Sequence, residues 1–309
     1  MPLAKGGTPT KYAKFVQNFN YFTMKNILFL ISITIMFTNC LETNVNFELP
    51  FEQKAVAFGF IDSVNGARVF VGKNVAIFSK DSSPIKGATV SLWSNDSWIE
   101  DLTFLEKNVF ISSAQFKPLP NKNYFFKATT PLPIGSGQVR KDSLISEKIF
   151  LLPTIPIEKA YYHYVNDQKT RINIYIEIHD PVGFNGYAFN IQRYKKDTLF
   201  DGEITGNPLF IPFNSILTND REFQGIAHTF VLENVNVEEY INKRFILMDR
   251  IKITLFNLSK PTYDLFQSFR TPEPSTGDPF FEPTTITNQI KNGLGVFGTY
   301  SSFTYEMKL

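Results

Sequence analysis

Cys40 is the residue of this 309-residue chain whose position most clearly predicts a chemical fate. It is the only cysteine, and it follows a short apolar segment, residues 27–37, which is preceded by Lys25. A positive start, an apolar run of about 11 residues and a short polar region form the layout of a secretory signal peptide. Because a membrane-spanning helix needs roughly 20 apolar residues, the run is too short to cross a bilayer. The layout therefore predicts export, cleavage before Cys40 and acylation of its thiol.

The cleavage region, residues 37–40, reads Phe-Thr-Asn-Cys, a loose form of the motif that precedes acylated cysteines in bacteria. The alternatives are an ordinary cleaved signal and an N-terminal anchor, each with an incidental cysteine. Translation from Met1 or from Met24 stays open, and we expect residues 1–39 to be absent from the working protein. They hold four lysines and no acid, which leaves 27 basic and 29 acidic residues. That balance does not indicate a nucleic-acid partner.

Residues that support catalysis or metal binding elsewhere are scattered along the sequence. The three histidines have no metal-ligand spacing: His163, His179 and His228. His179 and Asp180 could act as a base and its orienting carboxylate, but adjacent residues of a strand point to opposite faces. No Gly-x-Ser-x-Gly nucleophile motif occurs. We therefore predict no catalytic residues, no bound metal and no cofactor, and we expect that the protein is not an enzyme.

Two further motifs are interpreted as structural. Three glycines spell the dinucleotide-binding pattern: Gly293, Gly295 and Gly298. That pattern requires a following helix, whereas the residues after Gly298 have a strand pattern, so tight turns and close packing explain the glycines better. Asp278 and Glu282 could bind calcium, although a loop carboxylate more often accepts hydrogen bonds from nearby backbone amides.

The elements that must position these residues are predicted to be strands. Phe and Tyr are abundant, Pro and Gly punctuate the chain, and short runs with a period of two recur, which is typical of all-β sandwiches. Residues 40–53 are interpreted as a lipid-anchored tether, and residues 54–152 as an immunoglobulin-like or carboxypeptidase-regulatory-like sandwich. Prolines mark a junction after residue 152. Residues 153–309 are expected to form a second, sandwich-like β domain with one short helix.

The clearest strand signal in the second domain is residues 171–179, where isoleucine occupies every second position. Residues 187–194 are expected to return as its hairpin partner after the loop at 180–186. Shorter strand patterns occur at residues 229–233 and 251–256. The sequence therefore predicts an antiparallel second domain whose loops lie at the ends of the strands.

One helix is predicted, over residues 261–269, with Ser259 as the residue that caps its start. An aromatic stripe on one face of this helix is more often core packing than a binding surface: Tyr263, Phe266 and Phe269. Trp93 and Trp98 flank a polar loop. Core packing or a loop edge is the more common role of such residues than a ligand platform.

The C-terminal part of the sequence resembles a known family. Residues 277–283, Gly-Asp-Pro-Phe-Phe-Glu-Pro, and residues 288–300, which include Asn-Gly-Leu-Gly-Val-Phe-Gly, look like the closing signature of DUF4249, a Bacteroidota lipoprotein family of unknown function. Three shorter stretches agree, at residues 48–50, 85–90 and 180–187. The resemblance implies an immunoglobulin-like domain, a second β domain, a lipid anchor in the outer membrane and an association with TonB-dependent transporters. It implies no catalytic residues and no ligand.

Two classes of function fit these observations. The first is a lipid-anchored outer-membrane accessory protein that binds a TonB-dependent transporter and assists substrate capture or uptake through loops at the sandwich ends. The second is a stand-alone surface adhesin or glycan-binding lipoprotein, with a degradative enzyme ranked below both. Exposed aromatic residues on the loops would favour the first class. The ligand, the transporter and the leaflet orientation stay open.

Overall fold

The computed structural model describes residues 52–74, 85–134, 138–196, 198–199, 216–241, 244–270 and 287–309. These residues form twenty strands and one α-helix, which confirms the predicted all-β class with one short helix. The stretch from Glu52 to Leu309 is one compact unit. Within the described ranges, no helix is long and apolar enough to cross a membrane.

The strands of the first half are β1 (Ala55–Asp62), β2 (Gly66–Lys73), β3 (Thr89–Ser94), β4 (Ser97–Asp101), β5 (Thr103–Glu106), β6 (Val109–Ile111), β7 (Asn123–Ile134), β8 (Gln138–Ser146) and β9 (Ile149–Phe150). Those of the second half are β10 (Lys159–Tyr164), β11 (Arg171–His179), β12 (Gly186–Lys195), β13 (Thr198–Leu199), β14 (Leu217–Asn219), β15 (Ala227–Asn236), β16 (Glu238–Ile241), β17 (Arg244–Leu247), β18 (Arg250–Leu258), β19 (Ile290–Lys291) and β20 (Leu294–Lys308). The helix is α1 (Lys260–Arg270).

The last strand, β20, connects the two ends of the described chain. Its first part runs parallel to β1, with Leu294 opposite Val56 and Tyr300 opposite Asp62. Its second part runs antiparallel to β18, with Lys308 opposite Arg250. One nine-stranded sheet results, in the order β13-β12-β18-β20-β1-β2-β6-β5, with β14 beside β12. At about 3.3 Å per residue, β20 extends for about 45 Å.

The first core lies between one half of this sheet and a six-stranded sheet of order β19-β8-β7-β3-β4, in which β9 pairs with β7. Small side chains of β1, Ala55 and Ala57, face this core, and Phe126 and Phe297 meet edge-to-face across it at 5.2 Å between ring centroids. Side chains alternate along β1, so Phe60 points to the opposite side of the sheet and stacks on Phe266 of α1. Strand β1 is therefore buried on both faces.

The second core lies between the other half of the nine-stranded sheet and a three-stranded sheet of order β10-β11-β15. Residues 171–179 form a strand with the predicted bounds, and its isoleucines are buried. The predicted hairpin is wrong, because β11 pairs with β10 and β15 whereas β12 pairs with β18 in the other sheet. Both strands have a large apolar face, so packing these faces against each other across a core buries more apolar area than pairing the strands edge to edge.

Two hydrophobic cores share one sheet within the compact unit, and the boundary expected after residue 152 stays a prediction. Leu151 belongs to the first core and Ile155 to the second, while β20 contributes Phe297 to the first and Met307 to the second. The intervening chain is bound to the shared sheet, because the carbonyl of Pro153 accepts hydrogen bonds from the Asn257 side chain at 3.0 Å and the Ser301 hydroxyl at 2.9 Å.

Helix α1 packs on the outer face of the shared sheet through Leu265 and Phe266. Two details of the prediction are wrong. The Ser259 side chain contacts the Thr262 hydroxyl at 3.0 Å and accepts a bond from the Thr299 N–H, so it does not cap a helix amide as expected. The aromatic stripe is also only partly core, because Phe269 is exposed.

The glycines of the last strand have the structural role that their spacing predicts. A Cβ on Gly295, whose φ is +136°, would lie 1.8 Å from the Ala57 carbonyl oxygen. A Cβ on Gly298 would lie 2.0 Å from Thr262 Oγ1. Glycine is therefore required wherever β20 meets a neighbouring backbone or the helix at close range.

We expect Gly298→Ala to lower the free energy of unfolding by about 1–3 kcal/mol, the usual range for overpacking a filled core. Thr262 is fully buried and donates to the Thr299 carbonyl at 3.1 Å, so it has no room to move away. Urea unfolding measures the change, with Ser302→Ala on the same strand as the control at a half-exposed position. Equal stability of the two variants would contradict the packing argument.

Candidate functional site

Two loops at one end of the second core meet beside the start of α1. The first, residues 180–185, connects β11 to β12, and the second, residues 220–226, connects β14 to β15. Their backbones are joined directly: the Asp180 N–H donates to the Ile226 carbonyl at 3.0 Å, and the Asp220 N–H donates to the Asn185 carbonyl at 3.2 Å. Both loops begin with an aspartate that is almost fully buried.

Asp180 is the fully buried carboxylate of the first loop. Its Oδ1 accepts a short hydrogen bond from the Tyr187 hydroxyl, and its Oδ2 accepts the Gly225 N–H at 2.7 Å. A buried carboxylate is tolerated when donors replace the water that it loses. Here those donors come from the adjacent strand β12 and from the second loop, so Asp180 fixes one loop against the other.

Asp220 performs the same task from the second loop. Its Oδ2 accepts the Asn185 backbone N–H at 2.9 Å and the Asn185 side-chain amide at 3.3 Å. The same amide also donates to the carbonyls of Pro181, at 3.2 Å, and Gly183, at 3.0 Å. Asn185 therefore closes the turn of its own loop while it binds the neighbouring one. We call Asp180, Asn185, Tyr187 and Asp220 the loop-joining cluster.

Burial dominates the electrostatics of the loop-joining cluster. It raises the pKa of Asp220, with the hydrogen bonds from Asn185 acting against it and the charge of Asp180 adding to it. Burial, the hydrogen bond to Asp180 and its charge together raise the pKa of Tyr187 far above the ordinary value of 10. Tyr187 is consequently a neutral donor at any physiological pH, which is the state that its bond to Asp180 needs.

His228, near the start of β15, lies against this cluster. Its ring stacks on Phe223 of the second loop at 3.7 Å between centroids and meets Phe230 edge-on at 4.6 Å. Burial lowers the pKa of His228, and the charge of Asp180 partly offsets that effect. The histidine thus acts as a neutral aromatic ring that fixes the second loop to its strand.

The apolar tips of the two loops form an exposed surface. Val182 is 88% exposed and Ile226 54% exposed, whereas Phe184 is half-buried against Tyr263 of α1 at 5.8 Å. We call Val182, Phe184 and Ile226 the loop surface. A Cβ on Gly225 would lie 3.2 Å from Val182 Cγ2, so the two tips are in close contact. The buried hydrogen bonds beneath them hold these side chains in a fixed arrangement.

This arrangement is suited to contact with another molecule. Both carboxylates accept hydrogen bonds from within the fold, while the apolar Val182 and Ile226 reach solvent together with the exposed polar side chains of the second loop, Arg221, Glu222 and Gln224. In the part of the chain that the structure describes, no three His, Cys, Asp or Glu side chains come together in a way that could hold a metal ion.

The model of a family described as a domain of unknown function, DUF4249, matches residues 41–306. The chain belongs to the DUF4249 family. The match includes both loops and the whole loop-joining cluster. No curated protein matches this chain.

Among the described residues that the sequence singled out in this DUF4249 protein, His228 and Asp180 lie near each other, whereas His163 and His179 lie apart from them. His163 is exposed on β10 beside Tyr161 and Tyr175, and His179 is exposed at the end of β11. Asp180 is buried next to the exposed His179, as the strand geometry predicts, so the two do not form a base and orienting pair. Cys40, Asp278 and Glu282 lie outside the described residues.

Sequence reasoning missed most of the loop-joining cluster. Asn185 and Tyr187 lie in the stretch 180–187 that resembles the family, but no pattern there assigns their hydrogen bonds, and Asp220 carries no motif and lies 40 residues from Asp180 in sequence. The available signal was local: an Asp-Pro and an Asn-Asp pair each open a turn. Only the fold of the DUF4249 protein shows that these turns share hydrogen bonds.

The two tryptophans lie outside the first core. Trp93 is on the outer face of β3, where its indole N–H donates to Ser91 at 2.9 Å and the Lys127 ammonium lies 3.7 Å from its ring centroid. Trp98 of β4, beside the β3–β4 turn, is 57% exposed, in line with the loop-edge alternative. The core position is filled by Leu92, which alternates with Trp93 along β3.

We expect Tyr187→Phe to lower the free energy of unfolding by about 1–3 kcal/mol, because it leaves one buried oxygen of Asp180 without its donor. Chemical denaturation measures the change. Tyr175→Phe is the matched control: its ring stacks on Tyr161, and its hydroxyl bonds to no other described residue. A loss in Tyr187→Phe no larger than in the control would show that the bond to Asp180 is unimportant.

The lowered pKa of His228 makes stability depend on pH. Since the folded state favours the neutral ring, the contribution of His228 is complete above the ordinary value of 6.5 and is lost as the pH falls through the lower pKa of the folded protein. We expect His228→Phe, which keeps an aromatic ring against Phe223, to lose less stability than the wild type on acidification. Urea midpoints at about pH 7.5 and about pH 5 test this. Equal losses of stability in His228→Phe and the wild type between these pH values would contradict this prediction.

Proposed function

We propose that this DUF4249 protein is a lipid-anchored outer-membrane accessory protein of Bacteroidota that binds a TonB-dependent transporter and assists substrate capture or uptake. The loop surface is the observation that carries the proposal. Val182 and Ile226 are exposed apolar side chains on loops that the buried loop-joining cluster fixes in place. A contact surface that is ordered before binding loses little conformational freedom when a partner binds.

Burying the two carboxylates of the loop-joining cluster costs free energy, and this supports a role of the loops in contact with a partner. Two nearly fully buried carboxylates destabilise a fold unless protein donors replace the hydrogen bonds to water that they lose. Simple turns could connect these strands without buried carboxylates. Apolar side chains at loop tips likewise gain nothing in the free protein. Such features are expected where a surface is shaped for another molecule.

The sequence layout around Cys40 supports the location. If Cys40 is acylated, eleven residues, 41–51, separate the lipid from Glu52. An extended chain of that length reaches at most about 40 Å. The folded unit would therefore stay within molecular contact of proteins embedded in the same membrane, such as a transporter barrel.

A stand-alone adhesin or glycan-binding lipoprotein is the second candidate, and Trp98, which lies on strand β4 and not on one of the two loops, is the observation that favours it. Its ring is 57% exposed, and its indole N–H is oriented by Asp101 at 3.3 Å. Exposed aromatic rings with a neighbouring hydrogen-bonding group are suited to ligands that have both apolar and polar faces. This surface belongs to the first core, so it can be tested separately from the loop surface.

The test is recovery of the tagged full-length protein from its native outer membrane in mild detergent. We expect one β-barrel transporter at near-stoichiometric yield with the wild type, and loss of that barrel with Cys40→Ala and with the pair Val182→Asp and Ile226→Asp. The matched control is Leu105→Asp, an equally exposed apolar position on β5. Recovery of the wild type without a barrel would overturn the accessory function. Binding of glycans that depends on Trp98 would then favour the second candidate.

A further inference from the structure

The first and last strands of the described chain are parallel neighbours in the shared sheet. Strands β1 and β20 pair over seven residues, from Val56 opposite Leu294 to Asp62 opposite Tyr300. The chain enters β1 at the end where β20 begins, whereas β20 continues beyond the last of these pairs to Lys308. Opposite pulls on the chain before β1 and on the end of β20 therefore act along the strands and tend to slide one past the other.

The direction of such a pull decides how a strand pair separates. When two paired strands are pulled along their length, the evenly spaced hydrogen bonds of the parallel ladder carry the load together. When the same strands are pulled apart sideways from one end, the bonds break one after another. The first geometry needs a much larger force, because many bonds must break at the same moment.

Strand β1 is bound along both of its edges. Strand β2 pairs with it antiparallel over all eight residues, so β1 can slide only if two ladders break. The chain just before β1 is bound as well. Lys54 exchanges two backbone hydrogen bonds with Asn74, at 2.7 and 3.0 Å, and the Arg140 side chain donates to the Gln53 carbonyl at 3.1 Å. A pull on the preceding chain is therefore resisted from the first described residues onward.

Strand β20 is also bound along the part that extends beyond β1. This second half pairs antiparallel with β18 over nine residues. Where the two halves meet, the Thr299 hydroxyl donates to the Phe150 carbonyl at 2.7 Å, and the Ser301 hydroxyl donates to the Pro153 carbonyl at 2.9 Å. A pull on the end of β20 must break these bonds together with the two ladders before the strand can move.

Side-chain packing opposes sliding in addition to the hydrogen bonds. Along β1 the side chains alternate between the first core, which receives Ala55 and Ala57, and the helix side, which receives Phe58 and Phe60. A shift by a single residue would turn every side chain to the opposite face of the sheet. Phenylalanine rings would then have to enter the space that the alanines occupy, so sliding also disrupts the first core.

We propose that the pairing of β1 with β20 is a mechanical clamp, which keeps the folded unit intact under tension between the chain before β1 and the end of β20. The load passes from β1 through the ladder to β20, so the chain between the two strands carries little of it until the clamp breaks. Because β20 contributes to both cores, both then unfold together. The inference goes beyond the proposed function and does not depend on the identity of a partner.

The test is single-molecule force spectroscopy on the full chain, with Cys40→Ser and two introduced cysteines as attachment points. One protein carries Glu52→Cys and Lys308→Cys, which loads the clamp along the strands. The matched control carries Glu52→Cys and Leu294→Cys, two positions at the same end of the parallel pair, so β1 is peeled sideways from β20. The side chains replaced at positions 52, 294 and 308 are exposed.

We expect the unfolding force between positions 52 and 308 to be several-fold higher than between positions 52 and 294 at the same loading rate. Between positions 52 and 308, both cores should unfold in a single step. Urea unfolding of the two proteins should give similar stabilities, because forced unfolding is governed by the unfolding rate and by the direction of the load, and not by the free energy of unfolding.

Two core variants in the protein with attachment points at 52 and 308 separate the clamp from overall stability. Phe297→Leu removes a buried ring from β20, and Phe230→Leu removes one from β15, which lies outside the clamp. Both should lower the stability in urea. Only Phe297→Leu should lower the unfolding force, because a mutation affects the rate of unfolding most where the native contacts break at the barrier.

Three results would overturn the clamp: equal unfolding forces in the two attachment geometries, a separate earlier step in which the second core unfolds between positions 52 and 308, or equal losses of force in Phe297→Leu and Phe230→Leu. Recovery of a transporter from the native membrane is a separate measurement, so the clamp and the proposed function can fail independently.

Discussion

The pairing of β20 with both β1 and β18 is the constraint on which the rest of this structure depends. The last strand lies parallel to the first strand for one half of its length and antiparallel to β18 for the other. It brings Phe297 into the first core and Met307 into the second. Neither core is complete without it. A contact between the two ends of a long chain is slow to form because loop closure costs entropy, so we infer that the shared sheet closes late in folding.

Buried hydrogen bonds fix the strand register of this shared sheet. The chain between the cores is bound through the Phe150 carbonyl, which accepts the Thr299 hydroxyl at 2.7 Å, and through the Pro153 carbonyl, which accepts Ser301 and Asn257. Thr299, Ser301 and Asn257 are almost fully buried. Polar side chains at such positions add little net stability, but shifting the strand register would leave them unpaired and is therefore unfavourable.

Buried hydrogen bonds also fix the two loops of the candidate site. Asp180 and Asp220 replace solvent with donors from a neighbouring strand and from each other's loops, and this fixes the apolar tips above them. At the hairpin of β16 and β17, the ion pair between Glu239 and Arg193 and the half-buried Ile246 hold one face, whereas Tyr240 and Phe245 on the other face are exposed. In both places, polar interactions inside the fold determine which apolar side chains remain outside it.

The sequence by itself determined the all-β class, the bounds of β11, the position of α1 and the structural role of the glycines. These features are encoded locally, by a period of two, by a proline in the first turn of a helix and by positions that have no room for a Cβ. The sequence did not determine the partners of the strands. The isoleucine face of β11 fits a hairpin with β12 as well as a sandwich across a core, and only the tertiary packing decides between them. The loop-joining cluster could not be predicted for the same reason, because its hydrogen bonds join residues that are distant in sequence, and no local pattern records which distant segments meet.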